Sequence, residues 1–277
     1  MRRTRARKRE KTGKGGLLRL IVVIALLAWL IRSLVFAPFS IPSGSMLPTL
    51  LVGDYLVVAK WPYGYSRHSF LFGFPPIPGR IFARLPERGD VVVFATPDGS
   101  GEDFVKRVIG LPGDTVEVRG GTVILNGRPV PRGDMQPLAI PVSANSPCKV
   151  AAGATAMTRA AGEGSACVYP AYVERLPNGA TYRVIDQVDN PMADNFGPVR
   201  VPAGRLFLMG DNRDDSLDSR FSIPEGGVGM VPVEHLVGRA SFVFWSTDGS
   251  ASYVKPWTWV TALRTDRIAK GIAPERQ

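Results

Sequence analysis

The feature that most constrains this chain is an apolar run of 20 residues, Leu17 to Phe36, whose only charges are Arg19 near its start and Arg32 near its end. At about 1.5 Å per residue a helix of that length covers roughly 30 Å, the thickness of a hydrocarbon core, with both arginines reaching toward headgroups. A cleaved export signal is the competing reading, because only 12 residues, Leu20 to Ile31, lie between the arginines, and Val35-Phe36-Ala37 offers small residues at a cleavage site. Pro38 follows directly and resists cleavage, so the run is read as a retained anchor. Residues 1–16 hold eight Lys and Arg against Glu10, which places seven of the ten net positive charges ahead of the anchor. Arg19 and Arg32 leave +1 for everything from Ser33 onward, so the high pI describes a tail and not a basic folded domain, and a nucleic-acid-binding fold is disfavoured. By the positive-inside rule the tail stays in the cytoplasm and Ala37 to Gln277 lies outside.

Outside a bacterial cytoplasm cysteines oxidise. Cys148 and Cys167 are the only two, 19 positions apart, and a bridge between them, which spacing alone leaves open, would contribute about 3 kcal/mol. The only histidines, His68 and His235, have no ligand spacing to each other or to the cysteines, which argues against zinc.

Downstream of the anchor the chain reads as mainly β, an antiparallel domain with an inserted smaller subdomain. Turn chemistry precedes strands at Asp54 to Lys60, Val91 to Ala95, Phe104 to Ile109, Leu206 to Met209 and Ala240 to Trp245, and Gly120-Gly121 and Asn126-Gly127 mark hairpin turns. The expected organisation is a basic tail 1–16, an anchor 17–36, a β domain from 37–130 and 203–250, an Ala/Gly/Ser/Pro-rich insertion 131–202, and a tail 251–277 ending in a short basic helix. Residues 61–83 interleave Trp61, Tyr63, Tyr65, Phe70, Phe72, Phe74 and Phe82 with glycine and proline; they suit either a loop lying on the bilayer or one folded over the core.

Three segments carry chemistry. In Pro42-Ser43-Gly44-Ser45-Met46-Leu47-Pro48 two hydroxyls flank a glycine between prolines, a rigid polar elbow that is either a plain turn or a presented nucleophile. No G-x-S-x-G elbow and no placed histidine supplies a base, which leaves a neutral lysine. Lys106 is the best candidate, since Phe104 and Val108 share its face of a strand and would desolvate the ammonium. Lys60, also beside an apolar strand, shows that the pattern alone is common. The third segment, Gly210 to Arg220, fails as a calcium loop because Arg213 stands at the third position and Ser222 at the last. It reads instead as a turn crosslinked by Asp/Arg pairs that supports a site.

Together and in order, these segments resemble bacterial type I signal peptidases. The match lies in Pro42-Ser43-Gly44-Ser45-Met46 with Pro48-Thr49-Leu50, Gly53-Asp54, Arg88-Gly89-Asp90-Val91-Val92-Val93-Phe94, Lys106 to Asp114, and Gly210-Asp211-Asn212-Arg213-Asp214 with Ser216, Asp218, Ser219 and Arg220. Asp215 stands where the family usually has Asn, and a single anchor where some members have two. The resemblance implies a membrane-bound serine endopeptidase that needs no cofactor or metal and removes leaders from secreted preproteins after small residues. It implies that Ser45 is the nucleophile and Lys106 its base, that the Ser45 amide and Ser43 hydroxyl form an oxyanion hole, that Ser216 orients Lys106, and that Asp218 and Arg220 hold the loop. The preprotein is expected to lie along Asp90 to Ala95. The rival readings are another Ser-Lys hydrolase, such as a self-cleaving repressor, and a non-catalytic anchored β domain.

Overall fold

The computed structural model describes residues 14–154, 159–160, 166–252 and 254–276, so most of the basic tail lies outside the described residues. An α-helix over Lys14–Leu30 continues into a π-helical turn at Ile31–Val35. The span Gly15–Val35 is 21 residues, about 32 Å at 1.5 Å per residue, and its apolar side chains are almost wholly unburied, as a lipid-facing helix requires and a core helix does not. The helix runs directly into the strand Phe36–Ser40. Its base is stitched to the β domain: Lys60 N donates to Val35 O, Tyr65 Oη to Leu34 O and Leu71 N to Ser33 Oγ.

The fold beyond the anchor is mainly antiparallel β. Seven strands make the main sheet in the order Phe36–Ser40, Asp54–Ala59, Leu236–Ser246, Val91–Ala95, Asp103–Gly110, Arg205–Met209 and Val231–Pro232. The continuous apolar run Val91–Ala95 is buried on both faces because it is central. Val91 and Val93 pack with Leu56, Val58 and Val243, while Val92 and Phe94 pack with Val108, Leu206 and Leu208. That placement corrects one expectation. Val91–Ala95 is hydrogen-bonded to a neighbour along both edges, so it has no free edge for a preprotein.

Among the described residues, free edges occur elsewhere. Phe36–Ser40 pairs only with Asp54–Ala59. In Asp103–Gly110, residues 103–107 pair with Val91–Ala95 on one side, while Arg205–Met209 covers only Arg107 to Gly110 on the other, leaving one edge of 103–106 open.

A second sheet joins Gln136–Pro141, Ala166–Arg175, Ala180–Ile185 and the C-terminal Glu275–Arg276, with Arg159–Ala160 beside Ala166–Arg175. A third contains Phe196–Arg200, Thr115–Arg119, Thr122–Leu125 and Arg128–Pro129. Gly120-Gly121 and Asn126-Gly127 all have positive φ, the geometry that the twist of a two-residue hairpin selects. One core unites these parts, since Val116 and Val123 pack with Leu176, Tyr182, Phe207 and Met209. Cys148 and Cys167 are joined, beside Leu47, Tyr169 and Ile185. The chain's end differs from the expected basic helix: it has a four-residue α-helix, Thr258–Thr261, and a 3-10 turn, Thr265–Arg267, and its last described residues form a strand.

The 61–83 loop divides between the two readings. Tyr63 and Phe70 are buried, Tyr63 Oη donates to Asp90, and Phe70 stacks on Trp29 of the anchor helix. Trp61, Phe72, Phe74 and Phe82 are exposed. The imidazoles of His68 and His235, 167 positions apart in sequence, meet with centroids 4.6 Å apart where this loop docks.

Candidate active site

The site begins at the elbow after the first strand. Ser45 is buried and Ser43 exposed, and both line a cleft of about 870 Å³ whose walls come from residues 39–43, 102–106 and 213–217. Lys106 reaches it from the open-edged half of its strand. Lys106 Nζ lies 2.6 Å from Ser45 Oγ. Burial pulls the Lys106 amine down to about 8, against the opposing field of Asp218 and with Arg220 adding to the fall. The ring of Phe104 lies 5.9 Å from Nζ, on the face expected for it. Arg107 points the other way and donates to both oxygens of Asp211, at 2.7 and 2.5 Å, to Thr49 Oγ1 and to Gly89 O. Thr49 in turn donates to Asp211. One buried guanidinium therefore fixes the strand of Lys106, the nucleophile elbow and the 210–220 loop to each other.

The loop holds the elbow from the far side. Asn212 N donates to Ser45 O at 3.1 Å and Asn212 Nδ2 to Gly44 O at 3.2 Å. The approach is close enough to require glycine at position 210, where a Cβ would stand 2.5 Å from Ser45 O and overlap the Ser216 hydroxyl. Asp218 accepts from Gly210 N at 2.9 Å, from Ser216 Oγ at 2.8 Å and from Arg220 through Nε and Nη2, both at 2.9 Å. Burial pushes its carboxyl up, but Arg220, the Gly210 amide and Lys106 outweigh that and hold it below the usual range. Arg220 also donates to Ala193 O and Arg213 O, and Arg213 is committed to Glu174 at 2.6 Å.

All six residues singled out from the sequence lie at or directly behind this cleft. Ser45, Lys106, Ser43 and Ser216 line it, and Asp218 and Arg220 stand behind. The Ser216 hydroxyl contacts Asp218; among the described residues no hydrogen bond joins it to Lys106. The Ser45 amide has no protein acceptor among the described residues. Sequence reasoning missed the clamping roles of Asn212 and Arg107 and the close approach at Gly210. The one available signal was a glycine placed between a buried strand and a polar loop.

A mainly antiparallel β domain on one apolar helix, with a serine hydroxyl against a buried lysine amine in an open cleft, has the layout of a membrane-anchored serine hydrolase. Residues 15–245 match the family described as signal peptidase, peptidase S26. The chain is 34% identical to signal peptidase I of Rickettsia typhi over 96% of each chain. It is 34% identical to signal peptidase I of Rickettsia massiliae over 91% of this chain and 90% of that one. A solved signal peptidase I from Enterococcus faecalis aligns at a TM-score of 0.28 and 23% identity, covering 57% of this chain and 98% of that one. The chain belongs to the signal peptidase family, membrane-anchored serine peptidases that remove signal peptides.

Proposed function

We propose that this chain cuts leaders from secreted preproteins through an acyl-enzyme formed on Ser45, with Lys106 as its only base. The observation that carries this reading is the 2.6 Å contact between Lys106 Nζ and Ser45 Oγ in a site where burial brings the amine to about 8. A neutral Lys106 accepts the Ser45 proton as Oγ attacks the scissile carbonyl, then returns it to the departing amine. Water next attacks the ester carbonyl and gives its proton to Lys106, which passes it to Ser45 Oγ as the C–Oγ bond breaks and the leader is released with a free carboxylate. The Ser45 amide and the Ser43 hydroxyl receive the negative charge on the carbonyl oxygen, Gly44 spacing the two donors. Asp218, with Arg220 and Ser216 around it, keeps the loop and the field on Lys106 fixed. No step calls for a metal ion or another cofactor, and no nucleic acid takes part.

The preprotein enters as an extended strand between the open edges of Phe36–Ser40 and residues 103–106, which face the same cleft as Ser45. Main-chain hydrogen bonds to both edges then supply affinity without regard to sequence. Ile41, Val93 and Phe104 line that side of the cleft and suit small residues at the first and third positions before the bond. The charge of the tail favours a cytoplasmic N-terminus, which puts the cleft on the outer face of a bacterial inner membrane, in the periplasm where there is one. The continuity of anchor and first strand keeps Ser45 within a few residues of the bilayer, where a leader's cleavage region emerges.

The test is processing of a leader peptide ending in Ala-x-Ala by the purified chain in detergent at alkaline pH. Cleavage by the wild type, lost in Ser45→Ala and in Lys106→Ala, is expected. Processing by either variant at the wild-type rate overturns the assignment.

A further inference from the structure

Of the four carboxylates that line the cleft, Glu102, Asp103, Asp214 and Asp215, the last adds a minor pull toward the Lys106 ammonium and otherwise has no part in the chemistry above. Asp215 lies over the nucleophile elbow: a Cβ on Gly44 would stand 3.1 Å from Asp215 Oδ2. Ser43 and Ser45 flank Gly44, so this negative charge sits beside the place where an oxyanion develops, and it opposes that charge unless a cation offsets it. The neighbouring arginines are engaged elsewhere, Arg213 with Glu174 and Arg220 with Asp218. Among the described residues the cation within 4 Å of Asp215 is Lys149, whose Nζ is 3.9 Å from Oδ2. Lys149 is held at the cleft mouth by its neighbour Cys148, bridged to Cys167, and by its own amide, which donates to Tyr169 Oη at 3.2 Å. Its side chain is 66% exposed and that of Asp215 39%, so the pair is weak and a competing cation can displace it.

The direction of the cleft says where such a cation comes from. Phe36–Ser40 continues the anchor helix, so the leader half of a substrate occupies the strand side of Ser45. The first residues of the mature protein then leave past Asp215 and Lys149. We propose that Asp215 selects positive charge at the first two residues after the scissile bond, with Lys149 holding its place until that cation arrives. This specificity rests on the reading of Ser45 given above.

Peptides sharing one Ala-x-Ala leader, with Lys, Ala or Glu at each of those two positions, test it with the full-length chain in detergent. The wild-type kcat/KM for Lys should exceed that for Glu by about fivefold at low salt, the size of a partly exposed charge pair, and the ratio should fall toward one at about 0.5 M salt. Asp215→Asn should bring the ratio to one, and Lys149→Ala should widen it by removing the competitor. Because the ratio is taken within each enzyme, a general loss of activity cancels. A wild-type ratio of one, or an undiminished ratio in Asp215→Asn, overturns the proposal. If Asp215→Asn is inactive, a ratio unmoved by both Lys149→Ala and salt overturns it instead. Cleavage of every peptide without charge preference sinks this inference alone, whereas cleavage of none sinks the reading of Ser45 and this inference with it.

Discussion

Lys60 and Lys106 are both lysines next to apolar strand residues, both 4% exposed or less, and burial pulls both amines down to about 8. Lys106 meets a serine 61 positions away in sequence. Lys60 meets the ring of Phe39 at 5.7 Å, and the charge that most favours its ammonium is Asp103, which forms no ion pair with it. A lowered lysine pKa is therefore no mark of a site by itself, since burial alone produces it at Lys60, just past the end of its strand, as well as at Lys106. The costly part is the frame around Lys106. Asn212 fixes the carbonyls of Gly44 and Ser45, Arg107 joins three segments through Asp211, and Asp218 places a charge behind the amine.

The sharpest way to break this comparison is to remove each amine without removing its volume. Lys106→Met should lower kcat/KM on a leader peptide by about 10⁴ or more, as should Ser45→Ala, because the members of such a unit act together. Lys60→Met should stay within about twofold of wild type, surface and bystander changes being small; a Lys60→Met enzyme as dead as Lys106→Met would make the two lysines one site. Ser43→Ala should cost about 10² to 10³ in kcat, the usual loss of one oxyanion donor. Gly210→Ala tests the frame itself. The added Cβ meets Ser45 O and Ser216, so it should displace the elbow and cost about 1–3 kcal/mol of stability, together with most of the activity. Thermal unfolding and steady-state rates measured side by side would reveal whether frame and chemistry fail together.

The two lysines also separate by pH. Only the neutral amine of Lys106 can accept a proton, so kcat/KM should fall about tenfold per unit as pH drops below about 8 and level off above it. Lys60→Met should leave that limb in place. A limb that moved with Lys60→Met, or a flat profile between pH 6 and 9, would contradict the role given to Lys106.

Much of this was legible in the sequence for identifiable reasons. The anchor declared itself by length, the hairpins by paired turn residues with positive φ, and Val91–Ala95 by an unbroken apolar run. The desolvation of Lys106 followed from its neighbours on a period-2 strand. Local pattern could not say which strands end a sheet: Val91–Ala95 was expected to receive the preprotein and is instead covered on both edges. The open edges at 36–40 and 103–106 depend on sheet order and on how far Arg205–Met209 extends. Contacts across long separations were equally silent. Lys149 with Asp215 and His68 with His235 meet only in the folded chain, and no spacing in the sequence announces them.

The smallest expected effect is on stability, and it joins the two lysines again. In the unfolded chain each amine titrates near 10.5, and in the folded protein near 8. Below about pH 8 both states are protonated, and the folded state carries the whole cost of a buried ammonium. Between about 8 and 10.5 the unfolded chain holds a proton that the folded chain lacks, so stability climbs with pH, and above that range the cost is gone. Lys60→Met should therefore raise stability at pH 7 by about 1–3 kcal/mol, with the gain shrinking to nothing by about pH 10.5. Lys106→Met escapes the same burial cost but forfeits the hydrogen bond to Ser45 and the attraction of Asp218, so its gain should be the smaller of the two. Thermal unfolding in detergent at pH 7 and pH 10 decides the point. A Lys60→Met chain less stable than wild type at pH 7 would mean that Lys60 has a favourable partner, and that the two buried amines differ in more than their access to a serine.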